Sequence, residues 1–323
     1  MKKNVRTIVL LLALLAQVTA FAPAHAQTYP TKPIRVILPY APGGGAETQT
    51  RMVTGKVSEL LGQPMLIENR PGGAFAIATG FVAKSAPDGY TLYSTYSSML
   101  TAALTVKDFP IDVIKSFAVV SWLTESGTIL AVPASSEAHS LKDLMDMARK
   151  SSRQLSYGST GLGGTQHLNA EMVMLAAHAK GVHVPYKGSA DAATALLGQQ
   201  IDFSFVDNSA RPLIKAGKLR ALVVSSSRRS AGLPDVPTVQ ESIGLPGAAT
   251  RNYYLVPAAT PAAIVGQINA AVLKVLRMPD MIEKMTANGY DIIATSPEEG
   301  TKAYVGEYQA YSKLLSEIDL KID

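Results

Sequence analysis

Two stretches of this 323-residue chain have residue types and spacing suited to holding an anion. The first reads Pro42-Gly-Gly-Gly-Ala-Glu-Thr48, the second Gly158-Ser-Thr-Gly-Leu-Gly-Gly-Thr165. Successive glycines let backbone N–H groups turn inward without a Cβ clash. Each stretch leads into a segment of helical periodicity, and a helix start adds unpaired donors and about half a positive charge. A ligand held between two such starts is one reading. Tight turns with no further role are the other, and for either loop alone the two stand level.

Local catalytic motifs do not form. Gly55-Lys56 is followed by valine and lacks the leading glycine of a P-loop. Residues 158–164 do not keep the Gly-x-Gly-x-x-Gly order of a dinucleotide site. Gly158-Ser159-Thr160-Gly161 is one residue short of a nucleophile elbow. His139, His167, His178 and His183 give no pair at the spacing of a helical zinc site. The absence of cysteine excludes a disulfide scaffold, an iron–sulfur or thiolate-zinc centre and a lipid-anchored N-terminus. The chain is therefore read as a non-enzyme with no metal and no cofactor, although a triad built from distant residues needs no local motif.

The elements that must position these loops alternate. Residues 34–38, 65–68 and 91–94 read as strands, and Met52, Val53, Val57, Leu60 and Leu61 recur at helical spacing before Gly62. Ser140-Leu-Lys-Asp143 is a capping box opening a helix to about Lys150. Helices around 165–179, 189–197 and 210–216 are expected to end at Gly181, Gly198 and Gly217. The strands 182–184, 201–205 and 219–224 follow them. Thr260-Pro261 reads as a cap and first helical residue, and Asn288-Gly289 closes the next helix. Ser296-Pro-Glu-Glu299 opens a last helix whose Tyr304, Tyr308, Tyr311 and Leu315 stripe belongs to a core. This alternation predicts an α/β architecture with helices on both sheet faces. Ligands of such sheets bind outside the carboxyl ends of the strands. The candidate loops are those after 38, 68, 94, 157, 184 and 205.

The N-terminus carries its own signal. Lys2, Lys3 and Arg6 precede the apolar run Ile8–Ala16, and Ala24-His25-Ala26 offers small residues where signal peptidase reads. Residues 1–26 are thus expected to be a cleavable export signal, cut after Ala26, that delivers the protein to the periplasm. The run is too short to span a membrane, and no later segment is long and apolar enough, so the mature chain should not be membrane-embedded. The formal charge of +5 falls to +2 once the signal leaves, because 27 basic residues then face 25 acidic ones. Nucleic acid is not an expected partner at that charge. A 47% hydrophobic content with 17% charged residues excludes disorder as the main state.

Further short motifs carry a resemblance. They begin with Tyr29-Pro-x-Lys-Pro-Ile-Arg35-x-Ile-x-Pro39, then Ala-Pro-Gly-Gly. Next come Glu68-Asn-Arg-Pro-Gly72, Ala86-Pro-Asp-Gly-Tyr-Thr-Leu92, and Tyr157-Gly-Ser-x-Gly161 with His167-Leu168 and Glu171. Val184-Pro-Tyr-Lys-Gly188, 214–222 and Leu233-Pro-Asp-Val-Pro-Thr-Val239 complete the series. In order and together they resemble the Bug (TctC-like) family, the solute receptors of tripartite tricarboxylate transporters. The resemblance implies a two-lobed periplasmic-binding-protein fold (type II-like) with a hinge of crossing strands. Lobe 1 would be 27–126 with 250–323, and lobe 2 would be 127–249. Leu130–Pro133 and Tyr253–Pro257 would be the crossovers. It also implies a small carboxylate as ligand, membrane subunits of a transporter as partners, and a monomeric receptor. Alternatives are a sensing subunit for a signalling receptor or, further off, an enzyme on the same fold.

Carried over by position, the ligand-binding residues implied by the resemblance are Gly43, Gly44, Gly45, Ala46, Glu47, Ala74 and Phe75 in lobe 1. In lobe 2 they are Ser159, Thr160, Gly163, Thr165, Tyr186 and Asp207. Three departures stand out. Glu47 replaces a usual aspartate, Gly73-Ala-Phe-Ala76 replaces a run of glycines and an asparagine, and a common tryptophan is missing around Asn252-Tyr253. They suggest a carboxylate with an apolar or aromatic body against Phe75. Equally, Phe75 could face the core. The only tryptophan, Trp122, should lie near the hinge.

Overall fold

A computed structural model describes residues 29–230 and 232–317. The segment read as an export signal lies outside the described residues. The chain divides into two units, Met1–Thr31 and Lys32–Asp323.

Two sheets organise that unit. The first has six strands in the order β11-β4-β10-β3-β1-β2. Its first strands are β1 (Ile34–Leu38), β2 (Met65–Asn69) and β3 (Thr91–Tyr96). It is completed by β4 (Phe117–Ser126), β10 (Thr250–Pro257) and β11 (Asp291–Ile292). The second has five, in the order β7-β6-β8-β5-β9. They are β5 (Ile129–Pro133), β6 (Leu155–Ser159), β7 (Gly181–Pro185), β8 (Phe203–Val206) and β9 (Leu219–Val224). β3 is buried along its whole length, as a strand covered by helices on both faces must be. The helices of the first half are α1 (Gly45–Leu61), α2 (Ala76–Ala83) and α3 (Ser97–Thr105). The second half carries α4 (Leu141–Lys150), α5 (Thr165–Ala176), α6 (Ser189–Leu197), α7 (Arg211–Lys215) and α8 (Val239–Ile243). α9 (Ala262–Leu276), α10 (Pro279–Ala287) and α11 (Pro297–Glu317) follow β10. The result is a two-lobed α/β fold.

Pairing is parallel among β1, β2 and β3 and among β6, β7 and β8. It is antiparallel wherever the chain passes between sheets: β10 against β3 and β4, and β5 against β8 and β9. The parallel expectation thus holds for the βα units and not for the linking strands. Leu130–Pro133 and Tyr253–Pro257 sit inside the sheets, in β5 and β10, rather than crossing between them. One crossing is the two-residue step Gly127-Thr128 between β4 and β5; the other is the longer passage 225–249 from β9 to β10. The two are stitched together where Ser225 N–H donates to Thr128 O at 2.8 Å and Thr128 N–H donates to Ser225 Oγ at 2.9 Å. Glycine is required at 127, where a Cβ would stand 2.8 Å from Ser226 N.

Several helix ends differ from the sequence reading. α5 stops at Ala176, and the left-handed position is taken by His178 (φ 50) instead of Gly181. Gly181 already belongs to β7, where a Cβ would lie 2.9 Å from the Tyr157 ring. After α6 the left-handed residue is Gln199, not Gly198. Pro261 rather than Thr260 is the cap position of α9, since the helix's first N–H groups, of Ile264 and Val265, donate to Pro261 O; the Thr260 hydroxyl donates to Pro257 O. The Ser140 and Ser296 caps form, as do the glycine ends at 62, 217 and 289. The stripe of α11 is core: Tyr304, Tyr311 and Leu315 are buried, the last two packing with Leu168 and Met172 of α5.

Candidate functional site

The carboxyl ends of the strands of both sheets face a common cavity whose accessible volume is about 40 Å³. The loop after β1 brings Tyr40, Ala41, Gly44, Gly45 and Ala46, and the end of β3 brings Tyr96 and Ser98. The loop after β6 brings Thr160, Thr165 and Gln166 from the other side, joined by Gly188, Ser189 and Asp207. Ser126, Thr128 and Thr250 come from the crossings, and Tyr290 from the turn after α10. The candidate loops therefore meet, except the loop after β2. Asp207 is the one charged residue among the described lining residues; the rest of the polar lining is neutral hydroxyl, amide and backbone.

The two glycine-rich loops do stand face to face at the starts of α1 and α5. Both helices begin at an extended glycine, Gly44 and Gly164, with no side-chain cap. Their first-turn N–H groups thus look for partners outside the helix. The first N–H of each helix has an internal partner: Thr165 N–H donates to Ser98 Oγ at 3.3 Å, and Gly45 N–H to Asp207. Asp207 Oδ2 accepts from Gly45 N–H at 2.9 Å across the lobes, while Oδ1 accepts from Ser209 N–H at 2.9 Å and Ser209 Oγ at 2.5 Å. On the α5 side, Ser98 and Thr165 hydroxyls are 2.9 Å apart, and Gln166 Oε1 accepts from Thr160 N–H at 3.0 Å. That bond leaves the Gln166 NH₂ group as a further donor. Burial pushes the phenols of Tyr40, Tyr96 and Tyr290 well up, so each is a neutral hydroxyl at neutral pH.

Of the residues expected to bind ligand, Gly44, Gly45, Ala46, Thr160, Thr165 and Asp207 line this cavity. Gly43, Glu47, Ala74, Phe75, Ser159, Gly163 and Tyr186 do not. Glu47 turns back on its own loop, accepting from Gly43 N–H at 2.8 Å and pairing with Arg51, which together hold its carboxyl below the usual range. The extra methylene thus reaches the loop backbone and braces it. Phe75 is buried in the first core with its edge toward Tyr40, centroids 5.5 Å apart, and lies against Gly161 and Gly164. Tyr40 reaches the cavity and Phe75 does not. Ala74 (φ 47) and Phe75 (φ 72) are both left-handed, the backbone that the missing glycines would have adopted freely. Ser159 is engaged with His183 Nε2 at 2.7 Å and Gly161 O at 2.9 Å. Gly163 (φ 73) abuts α3, where a Cβ would stand 2.9 Å from Ala102 Cα. The Tyr186 ring packs beside Gly158. Sequence reasoning missed Tyr40, Ser98, Gln166, Ser189 and Tyr290. The first four adjoin the named strand ends, but Tyr290 arrives from 245 residues beyond Gly45 and donates to its carbonyl at 3.0 Å.

A two-lobed α/β fold with a polar cavity lined from both lobes by helix starts defines a solute-binding receptor. Residues 49–320 match the tripartite tricarboxylate transporter family receptor, and the chain belongs to that family. It is 31% identical over 296 residues to a UPF0065 protein from the tcbD-tcbE intergenic region of Pseudomonas sp. strain P51. That match covers 90% of this chain and 88% of the other. Protein BugT of Bordetella pertussis is 30% identical over 307 residues, covering 93% and 94%. Among solved structures, a periplasmic transporter superposes with a TM-score of 0.87 at 34% identity, over 91% of this chain and all of the other. MatC of Rhodopseudomonas palustris with bound malate gives 0.84 at 27%, covering 89% and 100%. R. palustris Rpa4515 with adipate gives 0.86 at 27%, covering 91% and 99%.

Proposed function

We propose that this chain is a periplasmic receptor that closes its two lobes, 27–126 with 250–323 and 127–249, over a small carboxylate. It then delivers that ligand to the membrane subunits of a tripartite transporter. The observation that carries the reading is the cavity itself: two uncapped helix starts, one from each lobe, meet across it among neutral hydroxyls. Backbone N–H and hydroxyl donors suit a carboxylate, and with no lysine or arginine among the described lining residues they bind it without a fixed cation. The malate and adipate bound by the two R. palustris relatives are consistent with this class. Gly44 to Ala46 contribute from one side, Thr160, Thr165 and Gln166 from the other, and Asp207 latches the lobes through Gly45. An accessible volume of about 40 Å³ favours a compact acid. Export through residues 1–26, action as a monomer and the absence of catalysis belong to the same proposal.

A thermal-shift screen over mono-, di- and tricarboxylates, aliphatic and aromatic, tests the ligand class. At 100 times its dissociation constant a ligand adds about 2.7 kcal/mol. A flat screen would refute the carboxylate assignment. Mass spectrometry of ligand released by denaturation tests the receptor role: an acid recovered unchanged supports it, a chemically altered product contradicts it.

A further inference from the structure

We infer that the protein has a second anion site on the hinge side, at a cavity of about 330 Å³ distinct in most of its lining from the one above. Its walls come from both lobes: Gly127 and Ile129 at the crossing, Arg228, Arg229 and Ser230 after β9, Thr286 in the last turn of α10, and Gly289 and Asp291 just beyond it. Behind this wall lies Arg211, only 6% exposed, and among the described residues no carboxylate pairs with it. Its Nη1 donates to Ala287 O at 3.2 Å, at the carbonyl end of α10, and its Nη2 to Ser230 Oγ at 2.5 Å. Its Nε is buried with no partner. A helix end compensates part of a charge, not all of it. A buried cation without a counter-ion is costly, and desolvation accordingly lowers the Arg211 pKa.

Two wall arginines are already paired with acids. Arg228 pairs with Asp291 at 2.6 Å, and Arg229 pairs with Glu241 at 3.0 Å. Glu125, the other acid near Arg228, is taken by Arg251 at 2.9 Å. The pairs cancel and leave the charge of Arg211 over. Ser230 transmits it: its oxygen accepts from the guanidinium, which frees its proton to donate elsewhere. A compact oxyanion in this cavity would accept from Ser230 and from the unused N–H groups of Arg228 and Arg229. It would supply the charge that Arg211 lacks.

Calorimetric titration with inorganic phosphate, at ionic strength held constant with chloride, tests the site. The full-length exported protein should give a saturable heat of one phosphate per chain. Arg229→Gln with Ser230→Ala should weaken it about tenfold or more, since each removes a charge-assisted or polarised hydrogen bond. Asp291→Asn, which removes the competing acid from the wall, should tighten it. Thr165→Val, in the other cavity, should leave it unchanged. Absence of a saturable heat would overturn the inference. So would a heat that survives in the Arg229→Gln, Ser230→Ala variant and vanishes in Thr165→Val, because phosphate would then occupy the carboxylate cavity.

Discussion

Gly163→Ala tests whether the lobes must close as they stand here. A Cβ at 163 would lie 2.2 Å from Thr105 Oγ1 and 2.9 Å from Ala102 Cα, both on α3 of the opposite lobe. The threonine can rotate away; the α3 backbone cannot, so the lobes must part by a few tenths of an ångström. Overpacking of this kind costs about 1–3 kcal/mol. The left-handed backbone at 163 (φ 73) costs alanine a further ~1 kcal/mol, but that strain is present whether the lobes are open or closed. Only the inter-lobe part opposes closure, so carboxylate affinity should fall about 5- to 150-fold. Gly217→Ala is the control: its φ is 67 and its Cβ would meet nothing within 4 Å. It should lose a similar increment of melting temperature and none of the affinity. Calorimetry with the best acid from the screen reads both. Equal affinity of Gly163→Ala and the wild type would refute this closure geometry.

Other expectations rest on single contacts. Phe75→Ala should cost about 3–5 kcal/mol by chemical denaturation, because the ring is buried against Tyr40. It should leave the preference between aromatic and aliphatic acids unchanged; an altered preference would return Phe75 to the ligand. Burial, with His167 stacked at 3.7 Å, pushes His183 down to about 3. Between that value and the ordinary one of about 6.5 the unfolded chain binds a proton that the folded chain does not, so stability should fall as pH falls through this window. His183→Gln should flatten that slope in thermal melts, and an unchanged slope would contradict the assignment. Trp122 sits five residues before the crossing at Gly127, under the Arg251 guanidinium at 4.7 Å. Its fluorescence should change when a confirmed ligand binds, and a silent titration would contradict its coupling to the hinge.

Most of the local architecture was legible because it is written in short-range signals. The strand Ile34–Leu38, the glycine ends at 62 and 217 and the caps at Ser140 and Ser296 need only near neighbours. What escaped was set by tertiary contact. Gly181 looked like a helix end but is paired with Leu155 in a strand, where the Tyr157 ring leaves no room for a Cβ. The runs at 130–133 and 253–257 looked like links because they are short and apolar, yet antiparallel pairing places them inside sheets. In the site, the two glycine loops were readable and their meeting was not. The same holds for Glu47 and Phe75: position in a motif marked them, but Arg51 and Gly43 claim the one, and Tyr40 shields the other. Tyr290 and the Arg211 environment combine segments far apart in the chain, beyond any local pattern.

The central claim is that a carboxylate is captured between the lobes among neutral donors. Calorimetric titration of the wild type and of Thr165→Val with a compact dicarboxylate such as malate tests it most directly. One ligand per chain, weakened in the variant that loses the hydroxyl facing Ser98, is the predicted result. Binding that Thr165→Val leaves untouched would contradict the account.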